Sequence, residues 1–91
     1  DCALPVAMAD GIIESDLSLY ELQDPPIGEA EKAVAQYAAE MVHDGDCIQL
    51  GFGGIPNAIG FELMNRHDLG IHTEQIGASM AHMIRRRHQP L

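Results

Sequence analysis

The chain has 91 residues and a formal net charge of −9, with five Lys or Arg against fourteen Asp or Glu. An acidic body repels a phosphate backbone, so we expect no nucleic-acid partner. It contains no apolar run near the roughly 18–20 residues that cross a membrane, and no basic-then-apolar signal sequence, so we expect a cytoplasmic protein without membrane contact.

The first 28 residues predict little regular structure. Residues 10–14 contain a short apolar stretch that could form one brief strand. Adjacent Pro25 and Pro26 exclude a helix interior and favour an extended connector. We therefore place a domain boundary here, with residues 1–24 as the end of a preceding domain and its linker.

An amphipathic helix is predicted directly after the connector. Its apolar residues recur at i, i+3, i+4, i+7, i+8 and i+11, which forms one stripe. The stripe consists of Ala30, Ala33, Val34, Tyr37, Ala38 and Met41. Glu29 and Glu31 fall in the first turn, where the helix dipole favours negative charge, and Gly45 is available for a left-handed cap at the end.

The next segments predict a strand, a helix and a second strand. Residues 47–51 resemble a short buried strand, residues 56–67 a helix with Pro56 in its first position, and residues 71–73 a second short strand. This order implies parallel pairing through right-handed crossovers. The predicted fold class is therefore α/β, a partial open parallel sheet with flanking helices.

The last segment, residues 77–91, is predicted to differ from the rest. Met80, Met83 and Ile84 could extend a short helix, but the basic run of residues 85–90 has no apolar face. We expect this run to fray and treat residues 77–91 as a divergent tail.

The loop at residues 51–57, Gly-Phe-Gly-Gly-Ile-Pro-Asn, is the candidate site. A strand leads into glycines and then into a helix start, where free N–H groups suit a phosphate, a carboxylate or a developing oxyanion. We expect Gly53 and Gly54 to need positive φ. The loop is not GxGxxG, because Pro56 holds the third glycine position, and spacing alone leaves a tight turn without ligand open.

Four blocks give the loop a wider context. They are PIGEAEKA at 26–33, DGDCIQLG at 44–51, GGIPNA at 53–58 and LGIHTE at 69–74. In this order and spacing they resemble the start of the second domain of the acetyl-CoA hydrolase/4-hydroxybutyrate CoA-transferase family. Residues 12–16 also resemble the end of the preceding domain, and the resemblance ends after Glu74.

The resemblance implies that residues 25–76 begin a CoA-transferase second domain. Such enzymes move CoA between carboxylates through a glutamyl-CoA thioester, and no block matching their attacking glutamate occurs here, so no catalytic residue is assigned. The implied CoA-binding residues are Gly51, Gly53, Gly54, Ile55, Pro56 and Asn57. CoA is then a substrate, with no covalently bound cofactor.

The same resemblance implies partners. They are an acyl-CoA, a short-chain carboxylate such as acetate, butyrate or 4-hydroxybutyrate, and either a second copy of the chain or the rest of its own domain. We expect a fragment that is inactive alone.

Two alternatives stay open: a nucleotide-binding module that uses the same loop, and a non-catalytic fragment that associates through exposed apolar edges. Glu74 is the best-placed carboxylate, although a solvated role is the more usual one. The five histidines have no i, i+4 pair on one helix and no accompanying CxxC, so no metal site is expected.

Overall fold

The computed structural model describes residues 3–87, which contain two short parallel strands and three α-helices. In chain order, the elements are α1 (Glu29–Glu40), β1 (Cys47–Ile48), α2 (Gly54–Glu62), β2 (Gly70–Ile71) and α3 (Ala78–Arg87). One-turn 3-10 helices occupy Val6–Met8 and Leu63–Asn65.

The two strands pair in parallel, with α2 as the crossover between them. Cys47 lies opposite Gly70 and Ile48 opposite Ile71. This confirms the predicted α/β class and parallel pairing.

Both strands are shorter than predicted, at two residues each. Beyond Ile48 the backbone hydrogen bonds between the two strands end. There a side chain makes the contact instead, with the Thr73 hydroxyl 3.3 Å from the Leu50 carbonyl oxygen.

Helix α1 begins where the glutamates predict. The Gly28 N–H donates to the Glu31 carboxylate at 3.0 Å, which satisfies a backbone donor that the helix itself leaves free. The left-handed cap expected at Gly45 is wrong, because α1 ends at Glu40 with Met41 as its cap. Gly45 has a φ of +85° in the later turn, where its N–H donates to the His67 carbonyl at 2.9 Å.

The predicted packing face of α1 is wrong. Tyr37 and Met41 of the predicted stripe are 73% and 74% exposed, and Val34 is exposed as well. The buried side chains are instead Ala35 and Ala39. Small alanines let α1 approach α2 closely, so the larger apolar residues face away from the folded part, about 150° around the helix.

The core joins both strands and all three helices through small and medium side chains. Its buried members are Ala39, Ile48, Leu63 and Met80. Partly buried apolar residues surround them: Val42, Leu50, Ile59, Leu69, Ile71 and Met83. Met80 is 0% exposed, so α3 supplies a central part of the core.

The expected fraying of the basic run is corrected as far as Arg87. Residues 85–87 continue α3, whereas residues 88–90 lie outside the described residues.

The segment before α1 extends away from the core. The strand expected at residues 10–14 is absent from the structure, and both Ile12 and Ile13 are exposed. Within the described residues the sheet consists of β1 and β2, and this segment pairs with neither strand. The radius of gyration of 17.1 Å reflects this extension, because a compact chain of this length would have about 12 Å.

Candidate ligand-binding site

A groove of about 340 Å³ lies at the carboxyl end of β1. One wall is the glycine loop, residues 50–53, together with Pro56 and Asn57 of α2. The opposite wall is residues 75–77 with Ser79 and Met80 of α3. In open α/β sheets, ligands bind beyond the carboxyl ends of the strands, which is where this groove lies.

Of the six residues predicted to bind CoA, four line the groove: Gly51, Gly53, Pro56 and Asn57. Gly54 and Ile55 lie in the first turn of α2 beside it, without lining it themselves. The structure therefore brings the predicted set to one place, at the start of one helix.

The three glycines of the loop differ in what they require. Gly53 has a φ of +127° and a ψ of −177°, a conformation that is nearly restricted to glycine. Gly54 is helical, so the positive φ expected there is wrong. A Cβ at Gly54 would lie 3.3 Å from Pro25 Cγ, whereas one at Gly51 would make an ordinary 3.5 Å contact with Pro56.

The start of α2 presents two free backbone donors. The helix begins at Gly54, so Pro56 occupies its third position. The prediction that Pro56 occupies the first position is wrong. Pro56 has no N–H, and the N–H of Asn57 donates to the Gly53 carbonyl at 3.1 Å. The N–H groups of Gly54 and Ile55 have no acceptor within residues 3–87. Free N–H groups at a helix start suit a partial negative charge.

Two side-chain contacts hold the walls of the groove together. The Asn57 Oδ1 accepts a hydrogen bond from the Ser79 backbone N–H at 2.9 Å, which caps α3 from the neighbouring helix. The Thr73 hydroxyl lies 3.3 Å from the Leu50 carbonyl oxygen and 3.0 Å from that of Gln75. Sequence reasoning missed Thr73 and Ser79. The sequence signal for this contact was Ser79 itself, because a serine shortly after a glycine is typical of a helix start.

The electrostatic character of the groove is nearly neutral. Its lining contains one charged residue, Asp24, and no Lys, Arg or His. Glu74 is exposed and lies outside the lining. A groove of this composition suits an uncharged part of a ligand better than a phosphate group, which needs basic side chains or several free N–H groups.

Metal-binding clusters and membrane-spanning helices are both absent from the described part of the chain. Among residues 3–87, no group of three or more His, Cys, Asp and Glu is placed to hold a metal ion. Within the same residues, no helix combines the length and the apolar character that a bilayer crossing needs.

Curated relatives place this architecture among the CoA transferases. The chain is 43% identical over 84 residues to the succinyl-CoA:cyclohexane-1-carboxylate CoA transferase of Geobacter metallireducens. It is 38% identical over 85 residues to the 4-hydroxybutyrate coenzyme A transferase of Clostridium kluyveri. These matches cover 92% and 93% of the chain, but 19% and 20% of the relatives. They therefore extend past Glu74 into α3, and the chain spans about a fifth of each relative.

A solved structure shows the same fold. The crystal structure of RipA from Yersinia pestis superimposes with a TM-score of 0.76 at 35% identity, over 85% of this chain and 18% of that one. No family model matches the sequence. The relatives confirm the resemblance inferred from the four blocks. The chain belongs to the CoA transferase family and corresponds to one segment of these proteins, about a fifth of their length.

Proposed function

We propose that this chain forms part of the acyl-CoA site of a CoA transferase that moves CoA between an acyl-CoA and a short-chain carboxylate such as acetate, butyrate or 4-hydroxybutyrate. The observation that carries the proposal is the groove at the end of β1, beside the free N–H groups of Gly54 and Ile55. The substrates named for the relatives in Geobacter and Clostridium support it.

The reaction needs stabilisation of negative charge at the thioester carbonyl. When a carboxylate attacks an acyl-CoA, the carbonyl oxygen becomes an oxyanion in the tetrahedral intermediate, and preorganised N–H donors stabilise that charge. The N–H groups of Gly54 and Ile55 would supply this stabilisation. The attacking group is a glutamate that forms a glutamyl-CoA thioester, and we place it outside these 91 residues.

The walls of the groove fit the uncharged arm of CoA. Leu50, Phe52 and Ile76 supply apolar surface, and the lining has no basic side chain. The thioester and the neutral arm that carries it would therefore occupy the groove, while the phosphates of CoA would lie outside it.

The test is a binding and turnover experiment on the 91-residue chain. Acetyl-CoA is titrated against the isotope-labelled protein, and we expect amide shift changes at residues 51–57 and 75–77. ADP carries phosphates but no thioester arm, so it should not compete. A nucleotide-binding module would show the reverse preference.

Turnover of acetyl-CoA with butyrate should be absent from the purified chain, because we place the nucleophilic glutamate outside it. Turnover that the Glu74→Gln variant abolishes would contradict this and would assign the nucleophile to Glu74. Gly11→Ala is the matched control for binding, since a Cβ at Gly11 would meet nothing within 4 Å.

A further inference from the structure

The side-chain amide of Asn57 has one fixed orientation. The atom 2.9 Å from it is the backbone nitrogen of Ser79, which carries a hydrogen and can only donate. The Asn57 atom facing it must therefore be the oxygen, Oδ1. This settles the choice between amide oxygen and nitrogen that geometry alone often leaves undetermined.

The other end of this amide, Nδ2, is left without a partner. No acceptor for it occurs within residues 3–87. It is also not sealed in the interior, because no buried side-chain nitrogen or oxygen of the described residues lacks a hydrogen bond. Since Asn57 is partly buried and lines the groove, Nδ2 is an available donor of two hydrogens at that site.

The position of Asn57 relates this donor to the free backbone N–H groups. Asn57 lies three residues after Gly54 on α2, and residues so spaced share one side of a helix. The groove lining offers no other side-chain amide on this wall. Holding Oδ1 on α3 also restricts rotation of the side chain, so little entropy is lost when Nδ2 binds a ligand.

We propose that Asn57 Nδ2 donates a hydrogen bond to the thioester carbonyl oxygen of an acyl-CoA bound in the groove, while Oδ1 keeps α3 in place. Asn57 is then a ligand-binding residue as well as a helix cap. The inference rests on the proposed function and adds to it the group that recognises the acyl carbonyl.

The variant Asn57→Asp separates the two tasks. An aspartate has nearly the same shape and can still accept from the Ser79 N–H, but it replaces the donor with a second acceptor. Asn57→Ala removes both tasks. Glu62→Gln, on the exposed surface at the other end of α2, is the matched control and should change neither.

The probes are two uncharged mimics of the CoA arm, S-acetyl-N-acetylcysteamine and its S-ethyl thioether, which lacks the thioester carbonyl. Their lack of charge removes repulsion between CoA phosphates and the new carboxylate. Affinities come from amide shift titrations of the 91-residue chain. Amide hydrogen exchange in α3 reports whether the cap is intact.

We expect the wild-type chain to prefer the thioester, and Asn57→Asp to reduce this preference about 5–20-fold, which is the scale of one hydrogen bond replaced by a repulsive contact. Exchange in α3 should stay near wild type in Asn57→Asp and rise in Asn57→Ala. Because the comparison is a ratio of two ligands on one protein, it remains valid if a variant loosens α3.

The outcomes separate two failures. A wild-type chain that binds both probes, with a preference that Asn57→Asp leaves unchanged, overturns the role of Nδ2 and leaves the proposed function standing. A wild-type chain that binds neither the thioester probe nor acetyl-CoA overturns the proposed function, and this inference with it.

Discussion

At the scale of single residues, the glycine loop shows that adjacent glycines can be required for unrelated reasons. Gly53 needs its backbone conformation, with a φ of +127° and no more than an ordinary 4.0 Å contact with Pro56 Cδ where a Cβ would be. Gly54 needs space, because a Cβ there would lie 3.3 Å from Pro25 Cγ. A substitution at either position therefore tests a different property of the loop.

Gly53→Ala should lower the free energy of unfolding by about 1–3 kcal/mol, because alanine is strained in this region of φ and ψ. Gly51→Ala is the matched control in the same loop, where the new Cβ would make only an ordinary contact with Pro56. It should cost less than half as much. Urea unfolding followed by circular dichroism measures both, and equal losses would show that the conformation of Gly53 is not what the loop depends on.

Arg66 stabilises the end of α1 from a distant part of the chain. Its guanidinium donates to the Val42 carbonyl at 2.7 Å and to the Ala39 carbonyl at 3.0 Å. Lysine cannot reach both carbonyls with the same geometry. Arg66→Lys should therefore cost about 1–3 kcal/mol, as expected for hydrogen bonds from a charged donor.

The control for Arg66→Lys is Lys32→Gln, which removes an exposed 3.8 Å ion pair with Glu29. Surface pairs of this kind contribute about 0–1 kcal/mol. If the two variants unfold at the same urea concentration, the contacts of Arg66 with α1 contribute nothing measurable. Loss of amide protection at the end of α1 in Arg66→Lys alone would support the cap.

At the scale of elements, the fold depends on how closely α2 and α3 approach. Gly60 of α2 faces Ser79 of α3, which is 1% exposed. A Cβ on Gly60 would overlap Ser79 Oγ, lie 2.6 Å from Ser79 Cβ and lie 3.0 Å from Leu50 Cδ1. The absence of a side chain at Gly60 therefore allows α3 to bury Met80.

Gly60→Ala should destabilise the chain although alanine is the better helix former by about 1 kcal/mol. The overlap with Ser79 outweighs this gain, because overpacking costs about 1–3 kcal/mol. The double variant Gly60→Ala/Ser79→Gly returns the space and should recover part of the loss. Thermal unfolding of all four proteins gives the coupling energy. Additive effects would show that the two residues do not limit the approach of the helices.

The same contact explains what the sequence could and could not predict. Periodicity located α1, α2 and both strands, because helix and strand patterns are local. It did not show which face of α1 is buried, since that depends on α2 offering room for Ala35 and Ala39. It also missed the burial of Met80, which follows from the space beside Gly60.

Part of the candidate site was also predictable from the sequence, and part was not. The glycine loop was predictable, because glycines between a strand and a helix are a local signal. The pairing of Asn57 with Ser79, and of Thr73 with Leu50, joins residues 22 or 23 positions apart. Such contacts are set by the packing of α3 and β2, which a single sequence does not encode locally.

At the scale of the whole molecule, the chain leaves two large apolar surfaces uncovered. One is the predicted stripe of α1, which includes Val34, Tyr37 and Met41. The other is the extended segment 3–26, whose large apolar side chains are exposed. Surfaces of this kind are typical of protein interfaces. We propose that the rest of its own domain or a second copy of the chain covers them.

The 91-residue chain should therefore self-associate. Placing a negative charge on the apolar stripe makes its burial costly, so Tyr37→Glu/Met41→Glu should shift the chain toward monomer. Gln36→Glu, together with an uncharged substitution such as Lys32→Gln, is the control. It changes the charge of the protein by the same amount on the opposite side of α1, since Gln36 is exposed and about 130° from the stripe.

Sedimentation velocity over a range of concentrations distinguishes the outcomes. A weight-average sedimentation coefficient that rises with concentration in the wild type and in the control, but not in Tyr37→Glu/Met41→Glu, identifies the α1 stripe as the contact. Association that persists in all three proteins would shift the contact to segment 3–26, where Leu19→Glu tests it next. A wild-type chain that stays monomeric throughout would show that its exposed apolar residues are too dispersed to bind a second copy. We would then expect the rest of its own domain to bury these apolar residues.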